Sequence, residues 1–364
     1  MGFKCGLVGL PNVGKSTLFN QLTRLSVPSE NFPFCTIKPN TAIVPIFDTR
    51  LNKIAQIVCS KNIVPTTIEL VDIAGLVKGA HKGEGLGNKF LDHIRDTDVI
   101  IHVVRCFTCK DITHIYGKVE PIQDVEIINL ELILSDMEIC KNRIDKLQKK
   151  FVSHNSHDCK LEISVLKRCV SFLEKNLSLR LLNLSKQDCG LISYLRLLTL
   201  KPVIYVLNSS KYMFNNIGVE EVNNLIQKQY NATAIKIYLD EIDSCDNKVI
   251  SKKQECFSLK NEFNKQLEDV VLSGFRALDL ITFFTAGSKE VHAWTTTRNS
   301  FISKSVRCIH TDFSIGFIRA QVISYEDFIE CGGEKKAKAL GKVRVEGKKY
   351  CLHDGDIIHV LYQK

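Results

Sequence analysis

Short apolar runs bounded by turn residues recur in the first third of the chain and again near residue 200. Runs of this length, with helical patterns between them, are typical of buried strands in a parallel α/β sheet. The pattern predicts five such strands, at residues 3–8, 66–72, 98–105, 202–208 and 232–238.

A different pattern, rich in Lys, Glu and Leu, extends from residue 122 to residue 196. Its apolar side chains recur at alternating spacings of three and four, with a gap at Lys141, as in a coiled-coil seam. The predicted seam consists of Ile127, Leu130, Leu134, Met137, Ile144 and Phe151. A polar turn at 152–158 and a second amphipathic stretch at 160–177 favour an antiparallel helical hairpin inserted between two parts of the sheet. Two ordinary surface helices of the same domain are the alternative.

The last part of the chain, from residue 280, changes again to short strands. They are predicted at 281–287, 290–296 and 316–323, and a terminal strand pair is predicted around the turn Asp354–Gly355. This pattern favours a small, separate α+β domain.

A phosphate-binding motif follows the first predicted strand. Residues 9–16 read GLPNVGKS, which matches G-x-x-x-x-G-K-[ST], and a helix is predicted to begin near Lys15. In that context backbone N–H groups of the loop and of the helix N-terminus surround phosphate oxygens, while Lys15 reaches the β- and γ-phosphates. The predicted nucleotide-binding residues here are Asn12, Val13, Gly14, Lys15, Ser16 and Thr17.

A magnesium site is predicted beside this loop. Ser16 supplies one oxygen ligand, and Asp72 supplies a second at the end of a predicted strand, followed by Gly75 in a D-x-x-G motif. Thr36, in a loop after the first helix, is expected to close on the metal and the γ-phosphate. Thr36 is alternatively a simple loop hydroxyl.

Several segments together carry a resemblance to a known family. They are residues 2–20, 31–40, 71–91, 283–295 and 309–328. The chain resembles the YchF-type, Obg-like ATPases of the P-loop class over essentially its full length. The resemblance implies ATP hydrolysis in preference to GTP hydrolysis, association with the ribosome, and a role in translation or stress regulation.

The resemblance also implies an α/β fold made of a Ras-like P-loop nucleotide domain, an inserted antiparallel helical hairpin, and a C-terminal TGS domain of β-grasp, ubiquitin-like fold. The expected division is a nucleotide domain at 1–121 and 197–279, the helical insertion at 122–196, and the TGS domain at 280–364.

The group that orients the attacking water is not the usual one. Leu76 stands where Ras-type GTPases carry a glutamine, so catalysis needs another protein group, the bound phosphate oxygens or a metal ion. His81 and His114 are the candidates, and the alternative is that both are solvated loop histidines. Asn12 is a candidate for coordinating K⁺ beside the phosphates, or else a turn residue.

The base-reading loop is atypical. Asn208 ends a predicted strand, but Ser209, Ser210 and Lys211 follow, so a cation stands where N-K-x-D proteins have the aspartate that reads guanine. YchF-type proteins usually carry a glutamate in this loop, so the chain departs from that family as well. Asn208 and Ser209 are the predicted base contacts, and we expect ATP to bind at least as tightly as GTP.

The composition of the chain gives expectations about its binding partners and its cellular location. The 364 residues carry a formal charge of +9, and the basic run at 332–349 is a candidate surface for the ribosome or ribosomal RNA, with solvated lysines as the alternative. The 14 cysteines are scattered through apolar segments and are expected to be reduced. Because no apolar stretch reaches membrane-spanning length, we expect a cytoplasmic protein. We also expect it to be a monomer.

Two function classes remain open. The first is a ribosome-associated ATPase switch, which the intact Lys15, Ser16, Thr36 and Asp72 favour. The second is an RNA- or ribosome-binding module with a weak or vestigial nucleotide site. A small-molecule kinase would need an acceptor site and an Arg-rich lid, and neither is evident.

Overall fold

Two sheets organise the chain in the computed structural model. The structure describes residues 2–24, 40–73, 75, 79, 86–109, 111–153, 157–211, 215–239 and 253–363. The strands are β1 Lys4–Val8, β2 Thr41–Ile46, β3 Asn62–Val64, β4 Thr66–Asp72, β5 Val99–Arg105, β6 Phe107–Thr108, β7 Val203–Asn208, β8 Asn215–Asn216, β9 Thr233–Ile237, β10 Leu280–Ala286, β11 Glu290–Thr297, β12 Phe317–Ile323, β13 Arg344–Glu346 and β14 Ile357–Tyr362.

The α-helices are α1 Lys15–Arg24, α2 Thr49–Val58, α3 Leu86–Arg95, α4 Pro121–Ser153, α5 His157–Leu173, α6 Lys186–Ile192, α7 Val219–Tyr230, α8 Lys253–Ala277, α9 Ile302–Ser305, α10 Thr311–Ile315, α11 Tyr325–Cys331 and α12 Glu334–Ala339. Among these described helices, none combines the length and the apolar character needed to cross a membrane.

The first sheet has the strand order β2-β4-β1-β5-β7-β9. Neighbouring strands are parallel except for β2, which pairs antiparallel to β4. Every residue of β5 and β7 is buried, because helices cover both faces of the sheet. The five strands predicted from apolar runs are confirmed, and β2 is an additional edge strand.

Helix α4 contributes to two separate cores. Val125, Ile128 and Leu132 pack on the first sheet, whereas Ile133, Cys140 and Leu147 pack with α5 and the short helices after it. The predicted seam is wrong at Leu130, which is 36% exposed, whereas Ile127, Met137 and Ile144 are partly buried against these cores. One seam with a regular spacing of three and four residues cannot describe this helix, because its first part is buried against the first sheet and its later part against α5.

The second sheet has the strand order β13-β12-β14-β10-β11-β3. Two antiparallel pairs, β10–β11 and β12–β13, flank β14, which lies parallel to β10, as in a β-grasp fold. The predicted terminal hairpin around Asp354–Gly355 is wrong, because β14 pairs with β12 and β10 and not with the residues before the turn. Cys351 instead forms an isolated bridge with Phe301.

One segment of the N-terminal part of the chain joins this second sheet. Strand β3 pairs in parallel with β11, and Leu51 and Ile54 of α2 pack in a common core with Phe284 and Phe328. The predicted first nucleotide segment, 1–121, thus includes a helix and a strand whose neighbours lie in the C-terminal sheet. The predicted fold class is confirmed, and the domain boundaries stay predictions.

Candidate nucleotide site

The phosphate-binding loop connects β1 to α1 at the carboxyl edge of the first sheet. Gly14 has φ +98°, and a Cβ there would lie 2.5 Å from Asn208 Nδ2, so the loop requires glycine at this position. Val13 is buried, while Ser16 and Thr17 are exposed in the first turn of α1. Their backbone N–H groups belong to a helix N-terminus, which is suited to bind phosphate.

Lys15 is buried within the loop that it follows. Its ammonium donates to the carbonyl oxygens of Gly9 at 3.1 Å and Leu10 at 2.7 Å. Burial lowers the pKa of Lys15 to about 8, although the nearby Asp72 carboxylate acts in the opposite direction. The cation therefore lies beside the loop's backbone, within the predicted phosphate-binding motif.

Ser16 and Asp72 lie together, although they are 56 residues apart in sequence. The Ser16 hydroxyl donates to Asp72 Oδ2 at 2.9 Å, and Asp72 Oδ1 is buried without a hydrogen-bond partner among the described residues. A hydroxyl and a carboxylate with an unused oxygen fit Mg²⁺, which takes oxygen ligands. Gly75 lies against the same loop, since a Cβ there would be 2.9 Å from Pro11 N.

Asn208 connects the base-reading loop to the phosphate-binding loop. Its Nδ2 donates to the carbonyl of Val13 at 2.9 Å, and its buried Oδ1 has no hydrogen-bond partner in the described part of the chain. Ser209 is buried, and its N–H donates to Ile237 O at 2.9 Å. The residue after Ser209, Ser210, is held by Asn216, whose Oδ1 accepts from Ser210 N at 2.7 Å and whose Nδ2 donates to Ser210 O at 2.6 Å.

The loop after β5 docks on the phosphate-binding loop. Asn12, with φ +61°, donates from Nδ2 to Thr113 O at 3.2 Å. The side chain of the adjacent His114 is buried; its Nδ1 accepts from Tyr116 N at 3.3 Å, and its Nε2 lies 3.0 Å from Asp124 Oδ2. Burial raises the pKa of Asp124, and His114 opposes that shift. Both ring nitrogens of His114 are thus engaged.

Three residues of the predicted site lie outside the described residues. They are the predicted metal ligand Thr36, the candidate histidine His81, and Leu76 at the position of the usual glutamine. Sequence reasoning also missed two residues that shape the site, Asp124 and Asn216. Asp124 carried a weak signal as an acidic residue in the first turn of α4, whereas Asn216 carried none.

Known proteins match the chain over its full length, and family models match its N-terminal and C-terminal parts. A family model described as "50S ribosome-binding GTPase" matches residues 4–135, and the C-terminal model of YchF GTPases, described as a "protein of unknown function (DUF933)", matches residues 280–363. A Buchnera aphidicola protein named "Ribosome-binding ATPase YchF" is 61% identical over 362 residues, covering 100% of this chain and 99% of that protein. The chain belongs to the YchF family.

Other YchF proteins extend the match in sequence and structure. The Escherichia coli O157:H7 protein of the same name is 46% identical over 368 residues, covering 100% of this chain and 99% of that protein. The structure of the Schizosaccharomyces pombe YchF GTPase superposes with a TM-score of 0.85 at 31% identity, covering 99% of this chain and 98% of the other. The likeness therefore includes both sheets and the helices between them.

Proposed function

We propose that the protein is a ribosome-associated P-loop ATPase, acting as a nucleotide-dependent switch in translation or stress regulation. The observation that carries this proposal is the Ser16–Asp72 contact beside the buried Lys15, which preserves the parts of a phosphate and magnesium site. The names of the relatives support ATP hydrolysis and ribosome binding. An RNA- or ribosome-binding module with a vestigial site would not need to keep these three residues together.

The residues divide the work of phosphate binding. Lys15 binds the β- and γ-phosphates, and the backbone N–H groups from Asn12 to Thr17 orient them. Ser16 and Asp72, with Thr36 from the switch loop, would hold Mg²⁺, which neutralises phosphate charge when bound. Gly75 keeps the D-x-x-G segment close to the loop.

A histidine would orient the attacking water, and His114 and His81 are the proposed groups. His114 lies beside Thr113, which contacts Asn12, but it would have to leave Asp124 to reach a water molecule. Single-turnover hydrolysis by His114→Ala and His81→Ala variants tests each group separately. An unchanged rate removes that histidine from the mechanism.

A potassium ion beside the phosphates is a further part of the proposal, with Asn12 as its ligand. The side chain of Asn12 is exposed next to the loop, and only its Nδ2 is used by the Thr113 carbonyl in the contacts described above. A cation there would stabilise charge that develops during hydrolysis. Equal rates in Na⁺ and K⁺ would contradict this part.

Adenine is the proposed base. Because Asn208 Nδ2 is used by Val13 O, the group that remains is the acceptor Oδ1, which suits the N6 amine of adenine and opposes O6 of guanine. Ser209 would contribute backbone contacts. We expect ATP to bind roughly tenfold more tightly than GTP, corresponding to about 1.4 kcal/mol.

The proposed ribosome-binding surface is the basic run at 332–349. Lys335, Lys336 and Lys338 are exposed on α12, where they would contact phosphate groups of ribosomal RNA. Reversing these three charges should weaken co-sedimentation with ribosomes, with the largest difference from the wild type at low salt, where the charges are least screened, and leave basal ATP hydrolysis unchanged. We also propose a cytoplasmic monomer without membrane association, and the domain division at residues 121, 196 and 279.

One experiment tests the function as a whole. Hydrolysis of ATP and GTP is measured with and without ribosomes, for the wild-type protein and for Asp72→Asn, which keeps the size of the side chain and removes its charge. Mg²⁺-dependent ATP hydrolysis that is lost in Asp72→Asn and altered by ribosomes is expected. Ribosome binding without hydrolysis in either protein would favour the binding module instead.

A further inference from the structure

We propose that Glu262 is a positioning residue for base selection, and that it acts by holding the Lys211 ammonium at the base-reading position. This inference rests on the proposed function, because it assigns the origin of the adenine preference. It concerns an ion pair between α8 and the loop after β7.

The contacts define the position of the Lys211 side chain. Its Nζ lies 3.0 Å from Glu262 Oε2 and 5.6 Å from the centroid of the Tyr238 ring. The side chains of Lys211 and Glu262 are 27% and 53% exposed, so the pair is partly accessible to solvent. Of these two contacts, Tyr238 directly follows β9, the strand next to β7, and Glu262 lies on α8.

The topology places this ion pair at the carboxyl edge of the sheet. Lys211 follows β7 and Tyr238 follows β9, and these two strands are parallel neighbours with Asn208 paired to Ile237. Ligands of open α/β sheets bind at the carboxyl ends of the strands. In a Ras-like domain the residue three positions after the asparagine faces the edge of the base, and here that residue is Lys211.

The backbone around the pair is fixed independently of it. Asn216 exchanges two hydrogen bonds with Ser210, and Gln266 Oε1 accepts from Tyr238 N at 3.3 Å. Phe263 and Leu267 of α8 are buried in the core of the first sheet. This packing fixes the position of Glu262, which lies next to Phe263 on the same helix. The conformation of the Lys211 side chain is therefore what can change, and its contacts with Glu262 and Tyr238 restrict that conformation.

The chemistry of a lysine at this position separates the two purines. An ammonium has donors only, so it can donate to N1 of adenine but meets the N1–H donor of guanine. A lysine side chain has four flexible carbons, and without Glu262 the ammonium would turn towards water. Glu262 thus keeps a donor facing the base and balances its charge.

The test compares base selection among variants of the full chain. Dissociation constants for ATP, GTP and ITP are measured for the wild type, Glu262→Gln, Lys211→Asp, and the charge-swapped double variant Lys211→Glu with Glu262→Lys. ITP lacks the N2 amine of guanine and separates its contribution from that of N1–H. Glu268→Gln, which changes an exposed carboxylate six residues further along α8, is the matched control.

We expect Glu262→Gln to lower the ATP preference about three- to fivefold, the range of a partly exposed ion pair. The charge-swapped variant keeps the ion pair but places a carboxylate on the loop, so it should favour GTP over ATP by about tenfold. Glu268→Gln should leave the ratio unchanged. A purely structural role would weaken all three nucleotides equally.

The outcomes distinguish this inference from the proposed function. If the wild type prefers ATP but Glu262→Gln and the swapped variant keep its ratio, the role of Glu262 is wrong and the ATPase proposal stands. If the wild type binds GTP tenfold more tightly than ATP, the adenine assignment itself is wrong. Circular dichroism checks folding, and Glu262→Gln decides the question should the double variant be unfolded.

Discussion

His102 is a titratable side chain in the middle of the nucleotide sheet. It lies on β5, is 2% exposed, and its ring centroid is 5.1 Å from that of Tyr205. Burial lowers the pKa of His102 to about 3, and the positive charges of Arg180 and Lys15 act in the same direction. The imidazole is therefore neutral in the folded protein well below neutral pH.

This buried histidine should make the protein sensitive to mild acid. The unfolded chain binds a proton at this histidine below about pH 6.5, whereas the folded state does not until about pH 3, so the free energy of unfolding falls as pH drops between these values. At pH 5 the loss is about 2 kcal/mol. Urea unfolding at pH 7 and pH 5 should show this loss in the wild type and its absence in His102→Phe.

The control for this prediction is His359→Phe, which removes an exposed histidine of the C-terminal sheet. It should keep the pH dependence of the wild type. Buried carboxyl groups such as Asp124 and Asp136 are present in all three proteins, so their contributions cancel in the comparison. Equal pH dependence of the wild type and His102→Phe would contradict the prediction.

At the scale of elements, the central strands could be predicted and the register of α4 could not. Strands β5 and β7 are continuous apolar runs because both of their faces are covered, and such runs are visible in sequence. Helix α4 faces the sheet near Ile128 and α5 near Cys140, and no local pattern marks where one core ends. Strand β3 has three residues that are not buried, which gives no strand signal.

The same reasoning applies to the site. Ser16 and Asp72 could be predicted because a fixed motif specifies each of them. Asn216 is hydrogen-bonded to Ser210 and Glu262 is paired with Lys211, and only the folded chain brings these residues together. The sequence itself places a cation, Lys211, in this loop, but the carboxylate beside it could not be predicted.

Two leucines of α4 test its register. Leu132 is 1% exposed in the core of the first sheet, and Leu130 is 36% exposed. Leu132→Ala should reduce the free energy of unfolding by about 2–5 kcal/mol, because it removes buried methyl groups and leaves a cavity. Leu130→Ala should cost less than about 1 kcal/mol. Chemical unfolding of both variants measures these changes. Equal losses of unfolding free energy would support the seam predicted from sequence, in which Leu130 is buried.

At the scale of the whole molecule, β4 connects the two sheets. The hydroxyl of Thr66, at its first residue, donates to Ala293 O of β11 at 2.9 Å, and its last residue, Asp72, accepts from Ser16. The chain reaches β4 through α2 and β3, which both contact the C-terminal sheet. Strand β4 therefore links the Ser16–Asp72 contact to the C-terminal sheet, through its own hydrogen bond to β11 and through the contacts of α2 and β3.

Arg50 of α2 is a polar contact across this junction. Its guanidinium forms ion pairs with Asp48 at 2.8 Å and with Asp354 at 2.7 Å, and it lies over the ring of Phe284, 5.3 Å from its centroid. Asp354 Oδ1 also accepts from Thr282 N at 2.9 Å, so the turn before β14 is tied to both α2 and β10. The side chain of Arg50 is 26% exposed, which limits solvent screening.

Removing this guanidinium should loosen the C-terminal sheet from α2. Arg50→Ala is expected to lower the free energy of unfolding by about 1–2 kcal/mol, since the loss of a multidentate, cation–π-supported pair exceeds that of an ordinary surface ion pair. Hydrogen exchange should become faster in α2 and β14, with β5 and β7 protected as before. Arg298→Ala is the matched control, because Arg298 and Asp279 form a pair that is 54% and 67% exposed and should contribute less than about 0.5 kcal/mol. Equal hydrogen-exchange rates in α2 for Arg50→Ala and Arg298→Ala would contradict this prediction. They would show that apolar contacts, such as those of Leu51 and Ile54, are enough to hold α2 on the C-terminal sheet.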